Sequence, residues 1–254
     1  MTTLTPLLQA RELYKRFGPQ VVLNGLNLDV YRSEIVVVVG RSGTGKSVLL
    51  KHLIGLLHPE RGQVLVAGED IHRIRGRRLA QLREHFGMLF QGGALFDSLT
   101  VTDNIAFPLR EKTSMSEQEI QAVVTEMLQD VGLEGIDNKF PAELSGGMRK
   151  RVALARALVH KPEIILFDEP TTGLDPILVR AIHQLIYDTQ AQFGYTAVIV
   201  SHEIPRIFDI ASRVAMLHDG VIIEAASPDA FQRSTNPAVQ QFLTGNLEGP
   251  LQIF

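Results

Sequence analysis

Short runs of alternating apolar and polar residues open the chain and predict an antiparallel sheet. Between residues 7 and 39, segments such as VVLNGLNLDV follow a period of two, and Gln63–Glu69 predicts another short strand. From about residue 92 to residue 160 the apolar positions recur at helical spacing. Within that region, SEQEIQAVVTEMLQDVG predicts an amphipathic helix with Ser116 as its N-cap.

Strands return after this helical region. Apolar runs at Ile164–Phe167, Ala197–Val200 and Val214–Leu217 alternate with helical segments, which indicates a parallel sheet with crossover connections. The pattern predicts an α/β fold with a parallel-sheet core, an antiparallel β subdomain and an inserted α-helical subdomain. We expect one domain over residues 7–245, with the helical part at about 92–160, and a C-terminal tail at 246–254.

Composition narrows the class of protein. No apolar run approaches the roughly 20 residues that span a bilayer, and the first residues lack the features of a signal peptide. The chain has no cysteine, so disulfides and thiolate metal sites are excluded. A net charge of −3 argues against nucleic acid as a partner, and the arginine-rich segment His72–Arg83 predicts a solvated helix because no aromatic residues are interleaved with it. We expect a soluble, intracellular protein whose membrane role, if it has one, depends on partners.

The first chemical motif is GRSGTGKS, which fits the P-loop pattern at every fixed position. It follows the apolar run Ile35–Val39 and precedes a helix-like segment, as the motif requires. Its glycines allow backbone N–H groups to surround phosphate oxygens, Lys46 would reach the β- and γ-phosphates, and the Ser47 hydroxyl would bind Mg²⁺. The predicted nucleotide-binding residues here are Gly40, Arg41, Ser42, Gly43, Thr44, Gly45, Lys46 and Ser47.

The second motif is a pair of carboxylates, Asp168 and Glu169, directly after the strand Ile164–Phe167. Carboxylates at the C-terminal end of a parallel strand can divide the work of phosphoryl transfer. Asp168 would hold Mg²⁺ through its water shell, and Glu169 would orient and polarise the attacking water. Together with the P-loop, this pair predicts hydrolysis of a nucleoside triphosphate such as ATP.

The third motif is LSGGM, which comprises Leu144, Ser145, Gly146, Gly147 and Met148. Ser145 stands where a helix N-cap belongs, and the glycines leave backbone amides open. One interpretation is an ordinary N-cap. The other is a second phosphate-binding element, which would bring two copies of the chain together head to tail so that each completes the other's site.

In the order and identity of its motifs, the chain resembles the ATP-binding subunits of ABC transporters along nearly its whole length. Besides the three motifs above, it contains Gln91 in FQGG, the GLD turn that ends at Asp175, and His202 after TAVIVS. The resemblance implies a P-loop NTPase fold with a RecA-like core. It implies that Gln91 contacts Mg²⁺ and the attacking water, Asp175 couples two sites across a dimer, and His202 holds the γ-phosphate. Phe17 would stack on adenine, with Tyr14 as the competing candidate. Met148 departs from the polar residue that many members carry.

The segment GGALFDSLTVTDNIAFPLRE follows Gln91 and is rich in apolar residues. Leu95, Phe96, Leu99 and Phe107 predict either the core of the helical region or an exposed surface for a partner helix. With AELSGGMRKR, this segment resembles the ATPases of MCE-type lipid transporters of the Mla phospholipid system. The resemblance implies an integral-membrane permease docked around Gln91–Phe107, an MCE-domain lipid carrier in the periplasm, and a peripheral location on the cytoplasmic face of a bacterial inner membrane. The alternatives are an ABC ATPase for another substrate and a non-transport ABC ATPase that acts as an assembly or regulatory factor.

The tail ends in apolar residues after Gly249 and Pro250. Leu251, Ile253 and Phe254 are too few to form a core alone. They predict docking either on the same domain or, as the resemblance to the Mla ATPases suggests, on a partner subunit.

Overall fold

A computed structural model of the chain describes residues 5–252. It contains two compact units: one is formed by the residues up to His85 together with those from Thr196 onwards, and the other by Phe86–Tyr195. Tail residues Ile253 and Phe254 lie outside the described residues. The predicted domain limits, with one domain at 7–245 and an inserted part at about 92–160, stay a prediction.

The first unit contains the predicted antiparallel sheet. Its strands are β1 (Leu8–Phe17), β2 (Gln20–Val30), β4 (Arg61–Val66) and β5 (Glu69–Asp70), in the spatial order β2-β1-β4-β5. The predicted strand Gln63–Glu69 is wrong in its limits, because Ala67 at φ 48° and Gly68 at φ 85° form a turn that separates β4 from β5. The remaining strand of the predicted region, β3 (Ile35–Val39), belongs to a different, parallel arrangement.

The same unit also contains a group of strands that pair mainly in parallel. β3 lies between β8 (Thr196–Ser201) and β9 (Arg213–His218) and is parallel to both, while β10 (Val221–Ala226) pairs antiparallel with β9. All five residues of β3 and all six of β8 are buried, as expected for strands covered on both faces. The helices are α1 (Lys46–Leu53), α2 (Gly76–Glu84), α7 (Pro228–Gln232) and α8 (Pro237–Thr244), with a short 3₁₀ turn at Arg206–Ile210.

The arginine-rich segment forms α2 from Gly76 onwards, with most of its arginines exposed, so the predicted solvated helix is confirmed there; residues 72–75 precede the helix, and its predicted start is wrong. Arg78 forms an ion pair with Glu69, and Arg83 is partly buried, where it donates to the main-chain carbonyl of Gly55 at 2.7 Å. Two arginines of the segment are therefore bound by groups of the protein itself, one by a carboxylate and one by a main-chain carbonyl.

The second unit is mainly helical. It contains α3 (Val101–Lys112), α4 (Glu117–Asp130), α5 (Gly146–Leu158) and α6 (Pro176–Phe193), a 3₁₀ turn at Pro141–Glu143, and the parallel strands β6 (Phe86–Leu89) and β7 (Ile164–Asp168). The predicted cap at Ser116 is confirmed: its hydroxyl accepts from the Glu119 N–H, and the Glu119 carboxylate accepts from the Ser116 N–H, which completes a capping box. No helix among the residues from 5 to 252 has the length and apolar character needed to cross a bilayer.

Candidate functional site

The P-loop begins where β3 ends and follows a path that only glycine fits at two points. Gly40 has φ 154°, and a Cβ atom there would lie 2.4 Å from the carbonyl oxygen of Leu217. Gly45 has φ 99°, and a Cβ atom there would lie 2.7 Å from Cγ1 of Val22. α1 starts immediately afterwards at Lys46. The fixed glycines of the motif are therefore required by close backbone approach as well as by the turn itself.

Lys46 is folded over the loop and is only 5% exposed. Its Nζ donates to the main-chain carbonyls of Gly40 at 2.9 Å and Arg41 at 2.8 Å. The Thr44 hydroxyl donates to the same Arg41 carbonyl at 2.9 Å. These bonds place a positive charge at the loop, next to the N-terminus of α1, where an anion is favoured.

A cavity of about 280 Å³ adjoins the loop. It is lined by Gln20–Val22 of the β1–β2 hairpin, by Arg41–Thr44 of the P-loop and by His218–Gly220 of the β9–β10 turn. Phe17 is paired with Gln20 at the end of the hairpin and is 47% exposed. The structure thus places Phe17 opposite a residue that lines the cavity.

Tyr14, the competing candidate for the adenine contact, is engaged elsewhere in the sheet. Its ring lies 5.3 Å from the Arg61 guanidinium, and its hydroxyl donates to the Glu12 carboxylate at 3.4 Å. It pairs with Asn24 in β2 and Arg61 in β4. Lys15 Nζ also lies 5.4 Å from the centroid of the Phe17 ring, but the exposure of Phe17 and its position opposite Gln20 favour it over Tyr14 for the adenine contact.

His202 directly follows β8 and is exposed. Ser201, the last residue of β8, is in register with Val39, the last residue of β3. Because the two strands are parallel, His202 and the P-loop leave the sheet at the same edge, which is the edge where ligands bind in such sheets.

In the second unit, β6 and β7 are parallel, and they deliver Gln91 and the two acidic residues to one end. Leu89 is in register with Phe167, and Asp168 is 8% exposed at the end of β7. Gln91 Nε2 donates to Glu169 Oε2 at 3.1 Å, and the Thr172 hydroxyl donates to the same oxygen at 3.0 Å. The structure therefore joins the predicted catalytic glutamine and glutamate in one cluster.

The LSGGM motif opens α5. The Ser145 hydroxyl accepts from the Met148 N–H at 3.3 Å, so Ser145 caps the helix. A Cβ atom on Gly146 would lie 3.2 Å from Leu174, and one on Gly147 would lie 3.3 Å from Leu178. The glycines therefore allow the start of α5 to pack against the start of α6.

Asp175 caps α6 and is exposed. Its carboxylate accepts from the N–H groups of Ile177 at 2.9 Å and Leu178 at 3.1 Å. Within one chain, Ser145 and Asp175 are thus helix caps, and their contacts with a second chain stay a prediction.

The apolar segment after Gln91 is divided between core and surface. Phe96 and Phe107 are 44% and 38% exposed, and their ring centroids are 4.9 Å apart. Leu95 and Leu99 are half-buried. The two phenylalanines form an exposed aromatic pair on the second unit.

Sequence reasoning missed two cations that hold the segment after β6. Lys150 is 7% exposed, and its Nζ donates to the Gln91 carbonyl. Arg156 donates to the carbonyls of Gly93 at 2.9 Å and Ala94 at 2.8 Å. Burial lowers the pKa of Lys150, with a smaller contribution from the like charge of Arg149. The run MRKR resembles a solvated helical face, so the only sequence signal for Lys150 was its position one turn after the glycines.

Gln20–Val22 and His218–Gly220 were missed as cavity-lining residues because they carry no motif.

The sequence matches the family described as ABC transporter over residues 23–172. The chain belongs to this family. It is 46% identical over 244 residues to the probable ribonucleotide transport ATP-binding protein mkl of Mycobacterium leprae, a match that covers 96% of this chain and 70% of that protein. It is 40% identical over 246 residues to the intermembrane phospholipid transport system ATP-binding protein MlaF of Haemophilus influenzae, which covers 97% of this chain and 93% of that protein.

Solved structures support the same assignment. The cbiO1 protein of Clostridium perfringens, part of the ABC transporter complex cbiONQ, has a TM-score of 0.82 at 30% identity and covers 90% of this chain and 91% of its own. The ATP-binding cassette MJ0796, in a dimeric post-hydrolysis state bound to ADP and Pi, has a TM-score of 0.79 at 31% identity and covers 87% of this chain and 98% of its own. The predicted fold class, a P-loop NTPase of the ABC type, is confirmed. The chain is an ATP-binding subunit of an ABC transporter, which couples ATP hydrolysis to transport.

Proposed function

We propose that this subunit energises phospholipid movement through a separate membrane permease. The observation that carries the proposal is the similarity to the MlaF protein, which extends over 97% of this chain and 93% of that relative. The mkl protein is somewhat more similar in sequence, but the match leaves 30% of its length uncovered. The resemblance of the segment after Gln91 and of AELSGGMRKR to MCE-type transporters supports the same substrate.

ATP would bind in the first unit. The P-loop amides and Lys46 would hold the phosphates, because Lys46 already lies over the loop, and Phe17 would stack on adenine beside the cavity lined by Gln20. His202 would contact the γ-phosphate, since it leaves the sheet at the same edge as the P-loop.

Hydrolysis would use the cluster of the second unit. Glu169 would polarise the attacking water, with Gln91 holding its carboxylate. Mg²⁺ prefers oxygen ligands, and the donors that suit it are the Ser47 hydroxyl, the Asp168 carboxylate and the Gln91 side-chain oxygen. When bound, the ion would neutralise charge on the phosphates.

Two copies of the chain would form the working ATPase. MJ0796 is a dimeric cassette, and the N-terminus of α5 suits a phosphate because helix N-termini favour anions; Ser145 there is exposed, Gly146 is half-buried and Gly147 is buried. In a head-to-tail dimer these residues, with Leu144 before them, would face the γ-phosphate of the partner copy, and Asp175 would couple the two sites.

The permease would dock on the exposed pair Phe96 and Phe107. A large aromatic pair at a protein surface is typical of an interface with an apolar helix. The protein would then lie at the cytoplasmic face of a bacterial inner membrane, and an MCE-domain protein in the periplasm would carry the lipid.

One other substrate class is favoured by a specific observation. The mkl relative is named for ribonucleotide transport, so the ATP-binding subunit of a ribonucleotide transporter is the second candidate. Purification of the tagged protein from detergent-solubilised native membranes separates the two. We expect a multi-span permease, an MCE-domain protein and phospholipid in the purified complex. A complex with a soluble solute-binding protein and no MCE-domain protein, or a dimer with no membrane partner, would contradict the proposal.

A further inference from the structure

α5 makes a set of contacts outside the family motifs. Lys150 Nζ donates to the main-chain carbonyl of Gln91, and Arg156 donates to the carbonyls of Gly93 and Ala94. Between them, Cβ of Ala153 would lie 3.4 Å from a Cβ atom placed on Gly93. These three residues of α5 are spaced three apart, as expected for neighbours along one side of a helix. The helix that starts after Ser145 therefore holds the glutamine segment, residues 91–94, by its backbone.

The Lys150 contact lies in a buried place. Lys150 is 7% exposed, and withdrawal from water lowers its pKa, while the negative charge of Glu169 opposes this shift. A buried ammonium group needs hydrogen-bond acceptors to offset the loss of water. The Gln91 carbonyl supplies one, so the ammonium and the main chain of Gln91 fix each other.

The side chain of Gln91 is held from the other direction. Its Nε2 donates to Glu169 Oε2 at 3.1 Å, the oxygen that also accepts from Thr172 at 3.0 Å. Gln91 is thus bound through its main chain to α5 and through its side chain to the carboxylate at the end of β7. A displacement of the Gln91 backbone would move its amide away from Glu169.

We propose that Lys150 is a positioning residue for ATP hydrolysis: it fixes the backbone of Gln91 so that the Gln91 amide orients the Glu169 carboxylate. The inference rests on the proposed roles of Gln91 and Glu169. It also links α5, whose first residues would contact the partner's nucleotide, to the catalytic glutamine of the same chain. Because the hydrogen bond of Lys150 is made to the main chain of Gln91, we expect it to act on the hydrolytic step rather than on ATP binding.

The test compares three single substitutions. Lys150→Met keeps the length of the side chain and removes the charge and the donors, while Lys150→Arg keeps both. Arg151→Met is the matched control, because Arg151 lies on the same helix and donates to a carbonyl of a different loop, that of Val131, at 2.8 Å. We expect Lys150→Met to lower kcat for ATP by about 10- to 100-fold, in line with the effect of small displacements of catalytic groups, with KM within about twofold of the parent. Lys150→Arg should recover most of kcat, and Arg151→Met should stay near the parent value.

A double-mutant cycle separates positioning from a general structural effect. If Lys150 acts through Gln91, Lys150→Met should change kcat less than about twofold in a Gln91→Ala background. A full loss in that background, a parent-like kcat in Lys150→Met, or a loss seen mainly in KM would each overturn the inference. Should Lys150→Met fail to fold, Lys150→Leu also removes the charge and the donors, and the same criteria apply. Absence of ATP hydrolysis in the parent protein would instead contradict the proposed function itself.

Discussion

At the scale of single residues, Glu169 combines an unusual backbone with a specific set of partners. Its φ of 48° lies in the left-handed region, which costs a non-glycine residue about 1 kcal/mol or more. The conformation is fixed by the end of β7 before it, and by Gln91 and Thr172, which both donate to its carboxylate. Such strain is typical of functional positions, and here it directs a carboxylate away from the path of the strand.

Glu169→Gln tests the assignment of the catalytic base. The amide keeps the size of the side chain and its acceptor oxygen but cannot take a proton from water. We expect the ATPase rate to fall at least about 100-fold, while the dissociation constant for ATP stays within a few fold. Glu134→Gln, an exposed change in the same unit, is the control. Hydrolysis at the parental rate in Glu169→Gln would assign the base elsewhere.

At the scale of elements, alternation predicted β1 and β2, short apolar runs predicted β7, β8 and β9, and helical spacing with a strong cap predicted α4. These patterns did not predict the break between β4 and β5, which depends on left-handed conformations at Ala67 and Gly68.

The surface on which the tail docks could not be predicted either, because its contacts follow no repeating pattern in the sequence. Gln241 donates to the carbonyls of Asn246 and Leu251, both at 3.2 Å, and accepts from the Leu251 N–H at 2.7 Å. A contact made by one glutamine ten residues away leaves no periodic signal.

The hydrogen bonds by which Gln241 holds Asn246 and Leu251, here called the tail clamp, give one prediction at this scale. Gly249 has φ 150°, and a Cβ atom there would lie 2.3 Å from Oε1 of Gln241. Gly249→Ala should therefore displace the segment and expose Leu251, which is 4% exposed in the protein. We expect chymotrypsin to cleave after Leu251 at least about tenfold faster than in the parent, measured by mass spectrometry. Glu248→Ala, at an exposed neighbouring position, should not change the rate.

Equal cleavage of Gly249→Ala and the parent would show that the clamp does not hold the tail. The contact of the tail with a partner subunit stays a prediction. Cleavage of the parent that slows with rising protein concentration would support that contact.

A cluster of three histidines, His52 in the last turn of α1 with His58 and His72, gives a second prediction. The His72 ring lies 5.0 Å from the His58 ring and 6.3 Å from the His52 ring. Burial lowers the pKa of His72 to about 4 and lowers the pKa of His52 from its usual 6.5. Between pH 6.5 and pH 4 the unfolded chain therefore binds more protons than the folded protein, so the free energy of unfolding falls as the pH falls through this window.

For His72 the loss should be about 2 kcal/mol, after allowing for its partial exposure. Urea unfolding of the parent and of His72→Leu from pH 7 to pH 4 measures it, and the variant should show a shallower dependence on pH. Gln81→Ala, at an exposed position, removes no titratable group and should leave the dependence unchanged. Parallel curves for the parent and His72→Leu would contradict this account.

At the scale of the whole molecule, the chemistry of the P-loop and of the acidic pair could be predicted because each motif is contiguous in sequence. Within each unit, parallel pairing brings further residues to the same edge: His202 beside the P-loop, and Gln91 beside Glu169. The cations that hold Gln91 could not be predicted, since Lys150 and Gln91 are 59 residues apart and their contact depends on the packing of α5. The roles of these residues in hydrolysis, and the identity of the transported substrate, rest on the proposal that the family and the relatives support.

The most direct test of the central claim is phospholipid transfer by the purified complex. The subunit, with the permease and the periplasmic partner that co-purify with it, is reconstituted into vesicles that contain fluorescent phospholipid, and transfer is followed with and without ATP. We predict ATP-dependent transfer that stops in Glu169→Gln and Lys46→Ala, and ATP hydrolysis that rises when phospholipid is present. Transfer that is independent of ATP, or ATP-driven uptake of ribonucleotide without movement of phospholipid, would contradict the account.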